Sequence, residues 1–140
     1  MRYFLGFIMI SALIFIANSC SDTVPTYTTD TFQGCNDVNQ THMKVVVCDA
    51  TQTNYFGGAD VFMYLSESAR TNDPQRTLYS QHAVTDNTDP ANVGAVFYKT
   101  PYQKYYFFAR RDLGAGNFLT GVGEAFPKMC TTYKVVVVVQ

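Results

Sequence analysis

The residues of this chain that could do chemistry are four cysteines, two histidines and an unusual number of tyrosines. Cys20, Cys35, Cys48 and Cys130 are scattered. No two have the short separation that lets a pair of thiolates share a tetrahedral metal, and only His42 and His82 could assist them. No metal site and no cofactor is expected. A Ser or Cys nucleophile would need a positioned base, and neither histidine lies in a recognisable motif, so no catalytic residue is expected. Asp86, Asn87, Asp89 and Asn92 offer oxygen ligands but lack the alternate-residue spacing and bidentate Glu of a calcium loop. They read as a turn rich in Asp and Asn. The aromatics are more suggestive. Tyr and Phe number 10 and 11, with no Trp. Tyr102, Tyr105, Tyr106, Phe107 and Phe108 crowd one short stretch, and on a strand adjacent side chains point to opposite faces. Some of these rings must therefore lie outside a single core, where an exposed Tyr stacks on a sugar ring or packs on a protein. Tyr102, Tyr105 and Tyr106 are the candidate partner-binding residues, against the competing reading that they only pack.

The N-terminus carries a different pattern. Arg2 precedes an almost wholly apolar run, Tyr3 to Ala17, followed by Asn18, Ser19 and Cys20. This is the charged start, apolar centre and short-residue cleavage site of a secretory signal peptide. The run is too short to cross a bilayer, which takes about 20 apolar residues. Ile16-Ala17-Asn18-Ser19-Cys20 resembles a lipobox, the sequence at which bacterial lipoproteins are acylated on the Cys and cleaved before it. The resemblance implies that residues 1–19 are removed and that Cys20 carries the lipid. Each buried methylene contributes about 0.8 kcal/mol, and two or more chains anchor stably. Ser21-Asp22 resembles the acidic export signals of Bacteroidetes surface lipoproteins, and Asp22-Thr23-Val24 resembles that group's O-glycosylation pattern. An outer-membrane location, facing the periplasm or the cell surface, is what these likenesses imply.

Cleavage before Cys20 leaves 121 of the 140 residues, with 9 Lys+Arg against 11 Asp+Glu once Arg2 is lost, a formal charge of −2. That is one domain's worth of chain. A nucleic-acid partner would want a clustered basic patch, and Arg110-Arg111 is the only adjacent basic pair. In an oxidising compartment a disulfide among Cys35, Cys48 and Cys130 is plausible. Three pairings are open. Cys35–Cys130 is favoured because both fall in irregular segments, whereas Cys48 ends a strand.

The elements that must position these residues read as strands. Residues 20–42 are polar, without a period of 2 or 3.6, and read as a lipidated tether. From 43 to 140, short apolar or aromatic runs alternate with turn chemistry: 44–49, 59–65, 77–85, 94–99, 104–110, 117–122 and 132–139. No sustained helical period appears. Five consecutive valines, Val135 to Val139, would be an aggregation hazard if exposed, so both their faces should be covered. The fold expected is an all-β, seven-stranded Greek-key sandwich of immunoglobulin-like size.

The order of elements resembles the transthyretin-like or carboxypeptidase regulatory-like sandwich domains of secreted bacterial proteins. In that family a strand ends in Asp, and Gly-Ala-x-Val opens the next strand after a turn. Then follow a Thr-Asp turn, a Gly, a strand carrying Phe and a strand carrying Tyr. Here these are Val45 to Asp49, Gly58-Ala59-Asp60-Val61, Thr85-Asp86, Gly94 with Val96 and Phe97, and Tyr105-Tyr106 to Ala109. The likeness covers roughly residues 44–110. It departs in the long loop after Asp86 and in Phe56-Gly57, where the family has a Pro before Gly-Ala. Gly58 should take a positive φ and Ala59 should lie under a crossing strand. The family's hydroxyisourate hydrolases end in Tyr-Arg-Gly-Ser. The sequence here closes on Val138-Val139-Gln140, so that activity is not expected. The expectation is a non-enzymatic, membrane-anchored lipoprotein whose sandwich binds an envelope protein or glycan. The alternative is a structural subunit similar to fimbrial lipoproteins, assembling by strand addition at the Val-rich C-terminus.

Overall fold

The computed structural model describes residues 41–86 and 93–140, together with the backbone of Tyr27–Thr31. Cys20, Cys35, the signal peptide and most of the Asp86 loop lie outside the described residues. The described chain forms β1 (Tyr27–Thr31), β2 (His42–Cys48), β3 (Asp60–Tyr64), α1 (Glu67–Thr71), β4 (Gln81–Val84), β5 (Ala95–Tyr98), β6 (Tyr105–Gly114), β7 (Asn117–Ala125) and β8 (Thr131–Val138). Two sheets face each other. Sheet I runs β1-β8-β2-β5 and sheet II runs β4-β3-β6-β7. All pairings are antiparallel except β2 with β8, which runs parallel from His42↔Thr132 to Cys48↔Val138.

All seven expected strands are present from His42 onward, within a few residues of their expected bounds. β1 is an addition, since the segment expected to be only a tether contributes an edge strand to sheet I. Ladder hydrogen bonds are made by the backbone, so an edge strand needs no apolar pattern, and a Tyr-Thr-Thr-Asp-Thr segment is rich in types that favour strands. The five-residue α1 is the other addition. Ser66 caps it, its hydroxyl oxygen accepting the Ala69 amide at 3.1 Å. The third expected strand is shorter than its run because the Thr77 and Leu78 amides donate to the Asp73 carboxylate at 2.9 and 2.8 Å.

The core follows the strand period. Met43, Val45 and Val47 of sheet I meet Val61 and Met63 of sheet II, with Phe97, Tyr105, Phe107, Val135 and Val137 completing the layer. The five valines divide by alternation. Val135, Val137 and Val139 enter this core, while Val136 joins Val46 and Cys48 in a second buried cluster on the opposite face of sheet I. Both faces of β8 are thus covered, which explains a run that does not alternate in polarity.

The Gly-Ala motif behaves as its residue types require. Gly58 has φ +68°, and Ala59 is fully buried. Thr85 pins the pair. Its carbonyl accepts from the Gly58 amide at 2.8 Å, and its hydroxyl oxygen accepts from the Ala59 amide at 2.8 Å. The same hydroxyl donates to the Phe56 carbonyl at 2.7 Å. At the end of β2, Asp49 organises its turn. Asn54 Nδ2 donates to it at 2.6 Å and Thr51 Oγ1 at 2.9 Å, and these bonds hold its carboxyl pKa at about 2, below the usual carboxylate range.

The glycines of β7 answer a different need. The last residues of β8 cross towards sheet II, where the Gln140 and Thr120 backbones exchange hydrogen bonds of 3.1 and 3.2 Å. A Cβ on Gly121 would stand 2.0 Å from the Val138 carbonyl oxygen. Only glycine admits this approach. Gly121→Ala should therefore lower stability by about 1–3 kcal/mol. Val122→Ala, on the exposed face of the same strand, should cost less than about 0.5 kcal/mol. Urea unfolding of the two variants checks this, and equal midpoints would contradict it.

Candidate functional site

The aromatic stretch 102–108 is split three ways by strand alternation. Tyr105 is 1 % exposed, with its ring in the core and its hydroxyl donating to the Pro101 carbonyl at 2.9 Å. Burial pushes its phenol pKa up. It is therefore not a surface residue, and the expectation that it touches a partner is corrected by its burial. Tyr106 lies half-buried on the outer face of sheet II. The Arg70 guanidinium stands 5.7 Å and the Lys104 ammonium 5.2 Å from its ring centre. Tyr102 is on the loop between β5 and β6, 62 % exposed, edge-on to Phe126 at 4.4 Å. The three tyrosines do not form one surface.

Two exposed surfaces result. The first is the outer face of sheet II, where cross-strand register aligns His82, Phe62, Phe108 and Val122 in a row. His82 stacks on Phe62 at 4.6 Å, and Arg76 lies over Phe108 at 3.5 Å. In the next row Asp60 accepts from Arg110 at 3.2 Å and is paired with His82 Nε2 at 3.0 Å. A cation already occupies the face of Phe108, and Phe62 is buried under His82 and Tyr79. This is a ladder of cations and rings in which the buried Arg110 Nε has no hydrogen-bond partner, with the side chain of α1's Arg70 bonded to the Gly123 carbonyl at its far side.

The second surface lies at the end of the sandwich where β5 passes to β6 and β7 to β8. There Tyr102 and Phe126 form their edge-on pair, and Met129, on the same loop as Phe126, is half exposed. Beneath, the Cys130 amide donates to Thr41 Oγ1 at 2.9 Å and Thr131 Oγ1 to the Lys128 carbonyl at 2.7 Å, which fix the 126–131 loop. Cys130 is disulfide-bonded, and its partner lies outside the described residues; Cys48 is buried and free, its thiol pKa raised by burial. Phe126 and Met129 were legible only as apolar residues stranded in a loop segment around Pro127, a signal weaker than the tyrosine cluster.

Among the described residues, no group of three or more His, Cys, Asp or Glu is placed to hold a metal ion. No helix among them is long and apolar enough to cross a membrane. His42 stands against Tyr98 with ring centres 4.9 Å apart, on the other sheet from His82. Compared with known proteins, the chain matches no family model, and no curated protein or solved structure matches it.

The two tyrosine environments make opposite predictions. Tyr105→Ala should destabilise the domain by about 3–5 kcal/mol, the cost of emptying a large core site. Tyr102→Ala should stay within about 0.5–1 kcal/mol of the parent. Denaturant midpoints with unchanged slopes would check this, and a large loss at Tyr102 would show that its ring is structural.

Proposed function

We propose that the chain is a non-enzymatic lipoprotein, held at the outer membrane by acylated Cys20, whose Greek-key sandwich of the transthyretin-like type binds a protein partner. The anchor rests on the lipobox-like Ile16–Cys20 segment following its short apolar run. The sandwich type is supported by the crossings of the chain. β2 lies in sheet I, β3 and β4 in sheet II, β5 returns to sheet I, β6 and β7 lie in sheet II, and β8 closes beside β2. The proposed pairing of Cys130 remains Cys35.

The observation that carries the binding reading is the exposed Tyr102–Phe126 pair, with Met129 also exposed on the loop that bears Phe126, on loops held from beneath. Large apolar side chains grouped on a braced loop surface fit the aromatic- and Met-rich centre of a protein interface.

A structural subunit remains the second reading, in altered form. The C-terminal valines are already buried in the chain's own core, so donating β8 would dismantle the domain. Among the described residues β1 pairs only with Thr131 to Lys134, so assembly would use the remaining outer edge of β8 as acceptor.

The test places a photo-crosslinking amino acid at Tyr102 or at Thr120 in intact cells, with mass spectrometry of the mature N-terminal peptide alongside. The reading expects an acylated Cys20 and a discrete crosslinked protein from position 102 and not from 120. Crosslinks from both positions alike, or from neither, would contradict it.

A further inference from the structure

The direction of β1 bears on which end of a lipid-anchored sandwich would face the membrane. β1 is antiparallel to β8, with Tyr27 opposite Lys134 and Thr31 opposite Thr131. β1 therefore runs towards the Thr131 side, with Tyr27 its residue nearest the Val138 side. The Val138 side carries the 49–59 loop, the C-terminus and the β6–β7 hairpin. The Thr131 side carries α1 and the loops bearing Tyr102 and Phe126.

Reach makes the orientation consequential. From Cys20 to Tyr27 there are seven residue steps, which span at most about 25 Å of extended chain. From Tyr27, opposite Lys134, to the level of Val138 is four residues along β8, about 13 Å. Gly121 lies against Val138 and pairs with Ala109. From Ala109 to Gly114 β6 continues for five residues, about 17 Å more. The hairpin tip thus stands about 30 Å beyond Tyr27 along the strands, farther than Cys20 can extend in the same direction.

The tip suits that position. Gly114, Ala115 and Gly116 all have positive φ, at +85°, +53° and +80°, and Asp112 Oδ1 accepts the Gly114 amide at 2.7 Å, so the turn is tight and defined. Leu113 and Phe118, flanking it, are 58 % and 45 % exposed. The two arginines of β6 nearest them in sequence are tied back: Arg111 donates to the Gly57 carbonyl, and Arg110, ion-paired to Asp60, lies over the Phe118 ring at 4.9 Å.

We propose that the β6–β7 hairpin tip, through Leu113 and Phe118, rests in the surface of the same membrane that holds acylated Cys20, turning the Tyr102–Phe126 end outward. This deepens the lipoprotein reading and rests on it. The occupant of this apolar tip is the lipid surface itself, because the tether is too short to hold the tip clear of it. An apolar side chain at such a depth enters the boundary between headgroups and acyl chains.

The chain has no Trp, so a single introduced indole reports its own position. Leu113→Trp and Tyr102→Trp variants of the mature lipidated protein are reconstituted in phosphatidylethanolamine–phosphatidylglycerol vesicles containing brominated lipid. The proposal expects Leu113→Trp to lose emission and shift to the blue, and Tyr102→Trp to do neither. Quenching of Tyr102→Trp, or of neither variant, in protein whose Cys20 is shown by mass to be acylated would overturn the orientation alone. An unmodified Cys20 would instead overturn the lipoprotein reading beneath it.

Discussion

The parallel pairing of β2 with β8 is the constraint on which the rest of the structure depends. It joins the first strand after the edge β1 to the last strand of the chain over seven residue pairs, from His42↔Thr132 to Cys48↔Val138. Nothing local in sequence supports it. A parallel pair needs a long crossover, and here that crossover is nearly the whole domain. Its stability comes instead from valines on both faces: Val45, Val47, Val135 and Val137 facing sheet II, and Val46 and Val136 facing outward into a second buried cluster. With this pair in place, β1 adds to the outer edge of β8 and β5 to that of β2, and sheet II closes over the inner face.

The same pair sets the two ends of the molecule apart. Because β2 and β8 point the same way, every loop that leaves at the Cys48 and Val138 end differs in role from those at the Thr41 and Thr131 end. Thr85 and Asp49 hold the first set by side-chain hydrogen bonds to turn backbone. Thr41, through the Cys130 amide and through its own carbonyl accepting the Thr100 hydroxyl at 3.2 Å, ties together the loops of the second. The Tyr102–Phe126 pair sits on that braced end. Its rings are exposed while the backbone below them is fixed, which is the state of a surface organised before any partner arrives.

Much of this was legible in the residues, and the parts that were not have physical reasons. The strands were readable because turn chemistry at Asn54, Gly57-Gly58 and Asn72-Asp73-Pro74 separates β-branched and aromatic runs. The inward set Val45, Val47, Val61 and Met63 followed from alternation. β1 was not readable, because an edge strand held by its backbone carries no polarity pattern. α1 escaped because one capped turn is shorter than a helical period can reveal. The length of the β6–β7 hairpin was hidden by its polar outer half, Arg110 to Asn117, where strand continues beyond the core. The inward side of Tyr105 was not readable, because adjacency in the run Tyr105-Tyr106 does not say which ring faces in. The register that sets Tyr105 opposite Ala125 decides it. Asp73 is similar: buried, yet holding a carboxylate whose pKa is lowered, since against the desolvation that would raise it stand the Thr77 and Leu78 amides and the Tyr64 hydroxyl.

If the β2–β8 pair carries the fold, its amides should open only when the whole domain unfolds. Native-state hydrogen exchange measures this residue by residue. The amides of Val45 to Val47 and Val135 to Val137 should be the slowest in the protein, all exchanging with the free energy of global unfolding. Those of Leu113 to Phe118 at the hairpin tip should exchange far faster. Slowest exchange in β6 and β7, with β2 and β8 opening at lower free energy, would contradict the account at its foundation.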